Sequence, residues 1–258
     1  MLGEYQYHVH LNHGDVGRYI LLPGDPGRCK AIAAYLDNSR FVSSNREFTT
    51  YTGELNGEKV SVVSTGIGGP SAAIAMEELI KVGADTFVRV GTCGGMNREV
   101  TGGDLVIATA AVRAEGTSRE YLPLEYPAAA NFEVVCALNQ AAKQSGYRHH
   151  VGVVQCKDSF YGQHAPETMP VADELLYKWN AWIAGGCLAS EMESAAVFSV
   201  AAVRSVRAGT VLLAIMNKDR RKLGLPDEEC YDIDRAIRVG VDAVKRLIEQ
   251  DCGQMQPK

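Results

Sequence analysis

The residues best equipped for chemistry are arginines set beside glycine-rich turns, together with two closely spaced glutamates. Arg89 stands inside Phe87-Val88-Arg89-Val90, an apolar run rich in β-branched residues that reads as a buried strand. A buried guanidinium is costly unless a carboxylate or a bound anion meets it. Gly91-Thr92-Cys93-Gly94-Gly95 follows at once, and such small residues let a backbone turn sharply and approach a ligand closely. A guanidinium, a hydroxyl and free backbone N–H groups at a strand's C-terminal end form an oxyanion site. An arginine paired with a structural carboxylate explains Arg89 equally well. Arg28 ends a second such turn, Pro23-Gly24-Asp25-Pro26-Gly27-Arg28, and Arg46 opens REFTTYTG at 46–53. Convergent arginines recognise phosphate through forked hydrogen bonds. Glu191-Met192-Glu193 offers either a helix start with a carboxylate near its dipole, or a carboxylate, Glu193, accepting two hydrogen bonds from a sugar cis-diol.

The elements that must position these groups alternate along the chain. Strands are predicted over 18–22, 59–64, 87–90, 104–111, 150–155 and 209–216, with one more besides 59–64 following the segment 43–50 and another just before Glu191. Helices are predicted over 28–36, 71–82, 131–145, from Glu191 to about 204, and over 232–249. Such alternation predicts an α/β fold, one domain over 1–258 with a central mixed β-sheet flanked by helices. Residues 1–17 read as an extended N-terminal arm and 251–258 as a frayed tail. Five strands end in polar or glycine-rich clusters, at Gly24, Gly66, Gly91, Lys157 and Asn217. In α/β sheets ligands sit beyond the carboxyl ends of strands, so these ends predict one shared site.

Composition narrows the chemistry. A formal charge of −5 without a large basic cluster speaks against nucleic acid, and no apolar stretch has the length of a membrane span. Seven cysteines without CxxC pairs suit reduced thiols in the cytoplasm, and no Cys/His spacing suggests a structural metal. The run Thr65-Gly66-Ile67-Gly68-Gly69 lacks the third glycine of a dinucleotide fingerprint, and no GxxxxGK[ST] loop is present. A site for free phosphate or a small phosphate ester remains.

PGDPGR at 23–28, REFTTYTG at 46–53, STGIGGPS at 64–71, RVGTCGG at 89–95, DSFYGQ at 158–163 and SEMES at 190–194 together resemble the bacterial uridine phosphorylases. These are a branch of the trimeric or hexameric class of nucleoside phosphorylases. The likeness runs from about residue 7 to 250, and the joint set of motifs is far more specific than any one of them. It implies reversible phosphorolysis of uridine to uracil and ribose 1-phosphate in pyrimidine salvage, with phosphate as co-substrate and no required cofactor. Under that resemblance Gly24, Arg28, Arg46, Arg89 and Thr92 bind phosphate, with Arg28, Arg89 and Glu193 central to catalysis. Thr92, Met192 and Glu193 hold the ribose, and His8 of an adjacent chain meets its 5′-hydroxyl, with His10 competing for that role. Arg46 likewise serves a neighbour's site, so the resemblance implies a dimeric unit, assembled threefold into a hexamer. Phe160 stacks on the base, Gln163 reads its amide edge, and Ile215 and Met216 cover it. The resemblance to the familiar enterobacterial pattern is broken at Ala165, where that pattern has an arginine, and Lys157 or His164 is left to supply the missing charge. Glu47, Ile67 and Ser71 match positions that hold a monovalent cation in some relatives. The alternatives are a purine nucleoside phosphorylase, a hydrolytic nucleosidase and a non-catalytic nucleoside-binding protein.

Overall fold

The computed structural model describes residues 5–254. Residues 1–4 of the expected arm and 255–258 of the expected tail lie outside them. The first half of the chain gives β1 (Tyr19–Pro23), α1 (Gly27–Ala33), β2 (Asp37–Asn45), β3 (Phe48–Leu55), β4 (Glu58–Val63), α2 (Gly69–Lys81) and β5 (Thr86–Gly95). Then follow β6 (Leu105–Ala114), α3 (Thr117–Tyr121), β7 (Ala128–Ala129), α4 (Phe132–Ser145), β8 (His149–Lys157), α5 (Phe160–His164) and α6 (Ala172–Ala184). The last elements are β9 (Ala189–Glu191), α7 (Ser194–Arg204), β10 (Arg207–Met216), α8 (Lys218–Lys222) and α9 (Asp234–Gln254).

The sheet is built outward from β5, which pairs in parallel with β1 on one side and β10 on the other. Beyond β1 it continues through β4, β3 and β2. Beyond β10 it runs through an antiparallel β6, then β8 and β9, and β9 returns to β5 in antiparallel. Five strands thus close into a barrel from which the other part of the sheet extends. β5 is apolar on both faces because both are covered. Val88 and Val90 pack with Leu138 of α4 and Val244 of α9, whereas Phe87 joins Met76 of α2 and Phe198 of α7.

The α/β class and the mixed sheet match the sequence reading; several local expectations do not. Gly91–Gly95 is strand rather than turn, paired with β10 as far as Gly94. A Cβ on Gly91 would stand 2.8 Å from Arg89 Nη2, so the glycine there makes room for the guanidinium. Residues 43–50 form the β2–β3 hairpin, with Arg46 at its tip at a φ of 54°. α6 was not expected. Its Leu175, Trp179 and Trp182 recur at helical spacing but stay incompletely buried, so the apolar stripe is short. The helix α9 runs through 251–254 instead of fraying, because Asp251 accepts from the Tyr19 hydroxyl at 2.6 Å and from Arg207 Nη1 at 2.9 Å. Residues 5–17 of the arm hold no helix or strand, yet Val9 and Leu11 are fully buried, so this stretch lies against the body. The seven cysteines are all free. Among the described residues no helix is long and apolar enough to cross a membrane.

Candidate active site

A cavity of about 1100 Å³ opens beyond the C-terminal ends of β1 and β4 and along the second half of β5. Gly24, Arg28, Gly66, Arg89 and Thr92 line one part of it. A Cβ on Gly24 would lie 3.2 Å from the Gly66 carbonyl oxygen and 3.9 Å from Arg89 Nη1, so these groups face one small space. Arg28 is half-buried, and its nearest carboxylate is Asp25 at 3.8 Å, too far for a hydrogen bond.

Arg89 is buried and fulfils both sequence readings at once. Its Nε donates to Glu191 Oε2 at 3.2 Å, and its Nη2 donates to Glu193 Oε2. Burial works against its charge, but Glu193 and Glu191 hold the guanidinium above its ordinary value. Nη1, also buried, has no hydrogen-bond partner among the described residues. A buried N–H left unmade costs about 1–3 kcal/mol, and a bound anion would recover it.

The two glutamates divide the work. Glu191 takes the plain helix-start role: its oxygens accept from the backbone N–H of Glu193 at 3.0 Å and of Ser194 at 2.9 Å, at the head of α7. Glu193 faces the cavity and accepts from the Gly68 N–H at 2.6 Å, where a φ of 89° suits only glycine. Burial pushes the Glu193 carboxyl up, with Arg89 pulling the other way. Each oxygen keeps a lone pair for a hydroxyl. Met192 stands beside it in the wall.

Further along, Phe160, Ile215, Met216, Lys157 and His164 line the same cavity. Phe160 is 50% exposed, so it is not a core residue. Gln163 does not line this cavity but a smaller one of about 290 Å³, which shares Gly94, Lys157, His164 and Met216 with the first. Its Oε1 lies 2.8 Å from Ser190 Oγ, which also touches Gln155 and receives Lys157 Nζ at 2.7 Å. A hydroxyl carries one proton, so Ser190 Oγ, which accepts from Lys157, donates to one of the two facing amide oxygens at a time. Burial, Lys218 and Lys157 push the His164 imidazole down to about 4, leaving it neutral at pH 7. Lys218 donates to the His164 carbonyl at 3.3 Å and faces the smaller cavity.

Of the five strand ends, Asn217 alone is not brought to the large cavity. It is buried, caps α8, and donates to the carbonyls of Asn97 and Val100. Nor do His8 and Arg46 line this chain's cavity. His8 Nδ1 lies 2.6 Å from Glu78, its carbonyl accepts from Asn45, and the neighbouring Arg46 is exposed with its guanidinium over Tyr7. His10 is exposed beside Tyr5, on the other side of buried Val9. Glu47 Oε1 accepts from Ser71 Oγ at 2.7 Å, a bond that holds its carboxyl below the usual range. Glu47 and the exposed Ile67 share the cavity rim. Sequence reasoning assigned nothing to Gln155, Ser190 or Tyr231, which also reach these cavities. A polar Gln155 ending an otherwise apolar run was the available signal for the first.

A family model described as the phosphorylase superfamily matches residues 18–249. A uridine phosphorylase of Treponema pallidum is 56% identical, over 95% of this chain and 95% of its own. A uridine phosphorylase of Thermococcus kodakarensis is 42% identical, over 95% of this chain and 88% of its own. A guanosine phosphorylase of Halorubrum lacusprofundi is 38% identical, over 94% of this chain and 99% of its own.

Proposed function

The chain belongs to the phosphorylase superfamily, and from that premise we propose that it is a uridine phosphorylase, a pentosyltransferase converting uridine and phosphate to uracil and ribose 1-phosphate. The observation that carries the reading is the buried, unpartnered Nη1 of Arg89 facing Gly24, a hydrogen-bond donor awaiting an anion. Arg28 and Thr92 complete the phosphate cradle. Glu193 takes the ribose 2′- and 3′-hydroxyls with Met192 alongside, and Phe160, Gln163, Ile215 and Met216 receive the base. Phosphate and sugar then share the large cavity, and Gln163 meets the base from the smaller cavity that adjoins it.

As the C1′–N1 bond lengthens, the sugar gains positive charge and the base negative charge. Phosphate held beneath C1′ stabilises the cation and attacks it, so preorganised charge carries the rate without a protein nucleophile. Cys93 suits no such role, because burial pushes its thiol well up. Asn217 and Lys218, not an acid, follow β10 directly, and Asp219 accepts from Trp179 Nε1 at 2.8 Å and lines the smaller cavity, not the large one. That supports the pyrimidine reading over the purine one.

His8 and Arg46 share one surface patch outside their own cavity, which supports their service to a neighbour in a dimeric unit of a hexamer. No cofactor is required; Glu47, Ser71 and Ile67 are candidates to hold a monovalent cation at the rim. Seven free thiols favour the cytoplasm. The test is base release from uridine, inosine and guanosine with and without phosphate. Phosphate-dependent uracil release above either purine is expected. Preference for a purine nucleoside, or equal release without phosphate, refutes the reading.

A further inference from the structure

We infer that Lys157 is a catalytic residue, its ammonium stabilising the negative charge that develops on the pyrimidine oxygens as the base leaves. This rests on the uridine reading and adds a role to it. Lys157 is only 8% exposed, in the last position of β8, and lines both cavities where they meet. It has no carboxylate within 4.0 Å among the described residues. Buried lysines are normally paired, so one without an ion pair implies another purpose for the charge. Its contacts are Ser190 Oγ at 2.7 Å and the Glu191 carbonyl at 3.5 Å, which leaves at least one N–H for a ligand. Ser190 in turn touches Gln155 and Gln163, so the ammonium is tied through one hydroxyl to Gln163, which the uridine reading assigns to the base.

His164, the other candidate, is pushed down to about 4 and carries no charge at neutral pH. Burial also lowers the Lys157 pKa, against the pull of Glu191, which suits a cation that gains from an anionic neighbour. In the step itself the C1′–N1 electron pair departs with the base and a phosphate oxygen bonds C1′. Hydrogenphosphate becomes the dianionic ester, and the proton it gives up reaches the uracil anion through water. Lys157 keeps its proton throughout.

The competing role is charge balance: Arg89 and Lys157 offset Glu191 and Glu193 in one buried cluster. Two measurements separate the roles once the wild type is shown to release uracil with phosphate; failure there would sink the uridine reading instead. The first compares Lys157→Met with wild type on uridine and on 5-fluorouridine, whose base leaves more readily as an anion. Loss of an oxyanion partner lowers kcat by roughly 10²–10³-fold on uridine, and by about tenfold less on 5-fluorouridine, following Brønsted behaviour. Equal loss on both substrates, or no loss, overturns the proposal. The second needs no variant. Wild-type protein with phosphate should bind 5-nitrouracil as its coloured anion at a pH where the free base is neutral. Binding of the neutral form overturns the proposal even if Lys157→Met and Lys157→Gln both fail to fold.

Discussion

Arg89 shows how one side chain serves structure and chemistry together. Two of its nitrogens neutralise Glu191 and Glu193, and the third is left for the substrate. Arg89→Ala would therefore strand two buried carboxylates and cost about 3–5 kcal/mol of stability, read by denaturant melting. Stability within experimental error of wild type would contradict the ion-pair account. Arg28 is the cleaner probe of phosphate, since among the described residues Asp25, at 3.8 Å, is the one carboxylate within 4.0 Å of it. Arg28→Ala should reduce kcat/KM for phosphate roughly 10- to 150-fold, the equivalent of one charged hydrogen bond of about 1.5–3 kcal/mol. The melting temperature should stay put, and an unchanged phosphate dependence would remove Arg28 from the cradle. The types of these residues were legible in the sequence. Their division of labour was not, because nothing in Glu191-Met192-Glu193 tells which carboxylate turns to the helix and which to the cavity.

The elements that position the cavity are tied together at a distance from it. Asp251 near the end of α9 binds Arg207 at the start of β10 and Tyr19 at the start of β1. The hydrogen bonds from Arg207 hold the Asp251 carboxyl below its ordinary value. A depressed folded pKa means stability that is present above the unfolded value near 3.9 and is lost as pH falls through the folded one. Asp251→Asn should thus cost about 1–2 kcal/mol at pH 7, the pair being partly open to solvent. The gap should begin to narrow below about pH 4 and close once pH has fallen past the lower, folded value. A gap that persists in acid would assign the loss to packing instead of charge. Strand and helix positions were legible from hydrophobic period: Val88 and Val90 alternate with Phe87 because two helical layers cover β5. Barrel closure was not, since pairing of β9 with both β8 and β5 rests on three residues with little pattern of their own. α6 was missed because its stripe covers only a small cavity.

At the scale of the whole molecule, the proposal makes each site a joint product of two chains. Arg46→Ala and Glu193→Ala, each inactive alone, should regain activity when unfolded and refolded together, since some mixed dimers then hold one undamaged site. No recovery from a preparation shown to contain mixed oligomers would place Arg46 and Glu193 in the same chain's site. The central claim, though, is the attack of phosphate on a nucleoside held by Glu193 and Arg89. The most direct check is to quantify ribose 1-phosphate and free ribose as uridine is consumed in phosphate buffer. One ribose 1-phosphate should form for each uracil released; free ribose in its place would mean that water, not phosphate, is the nucleophile.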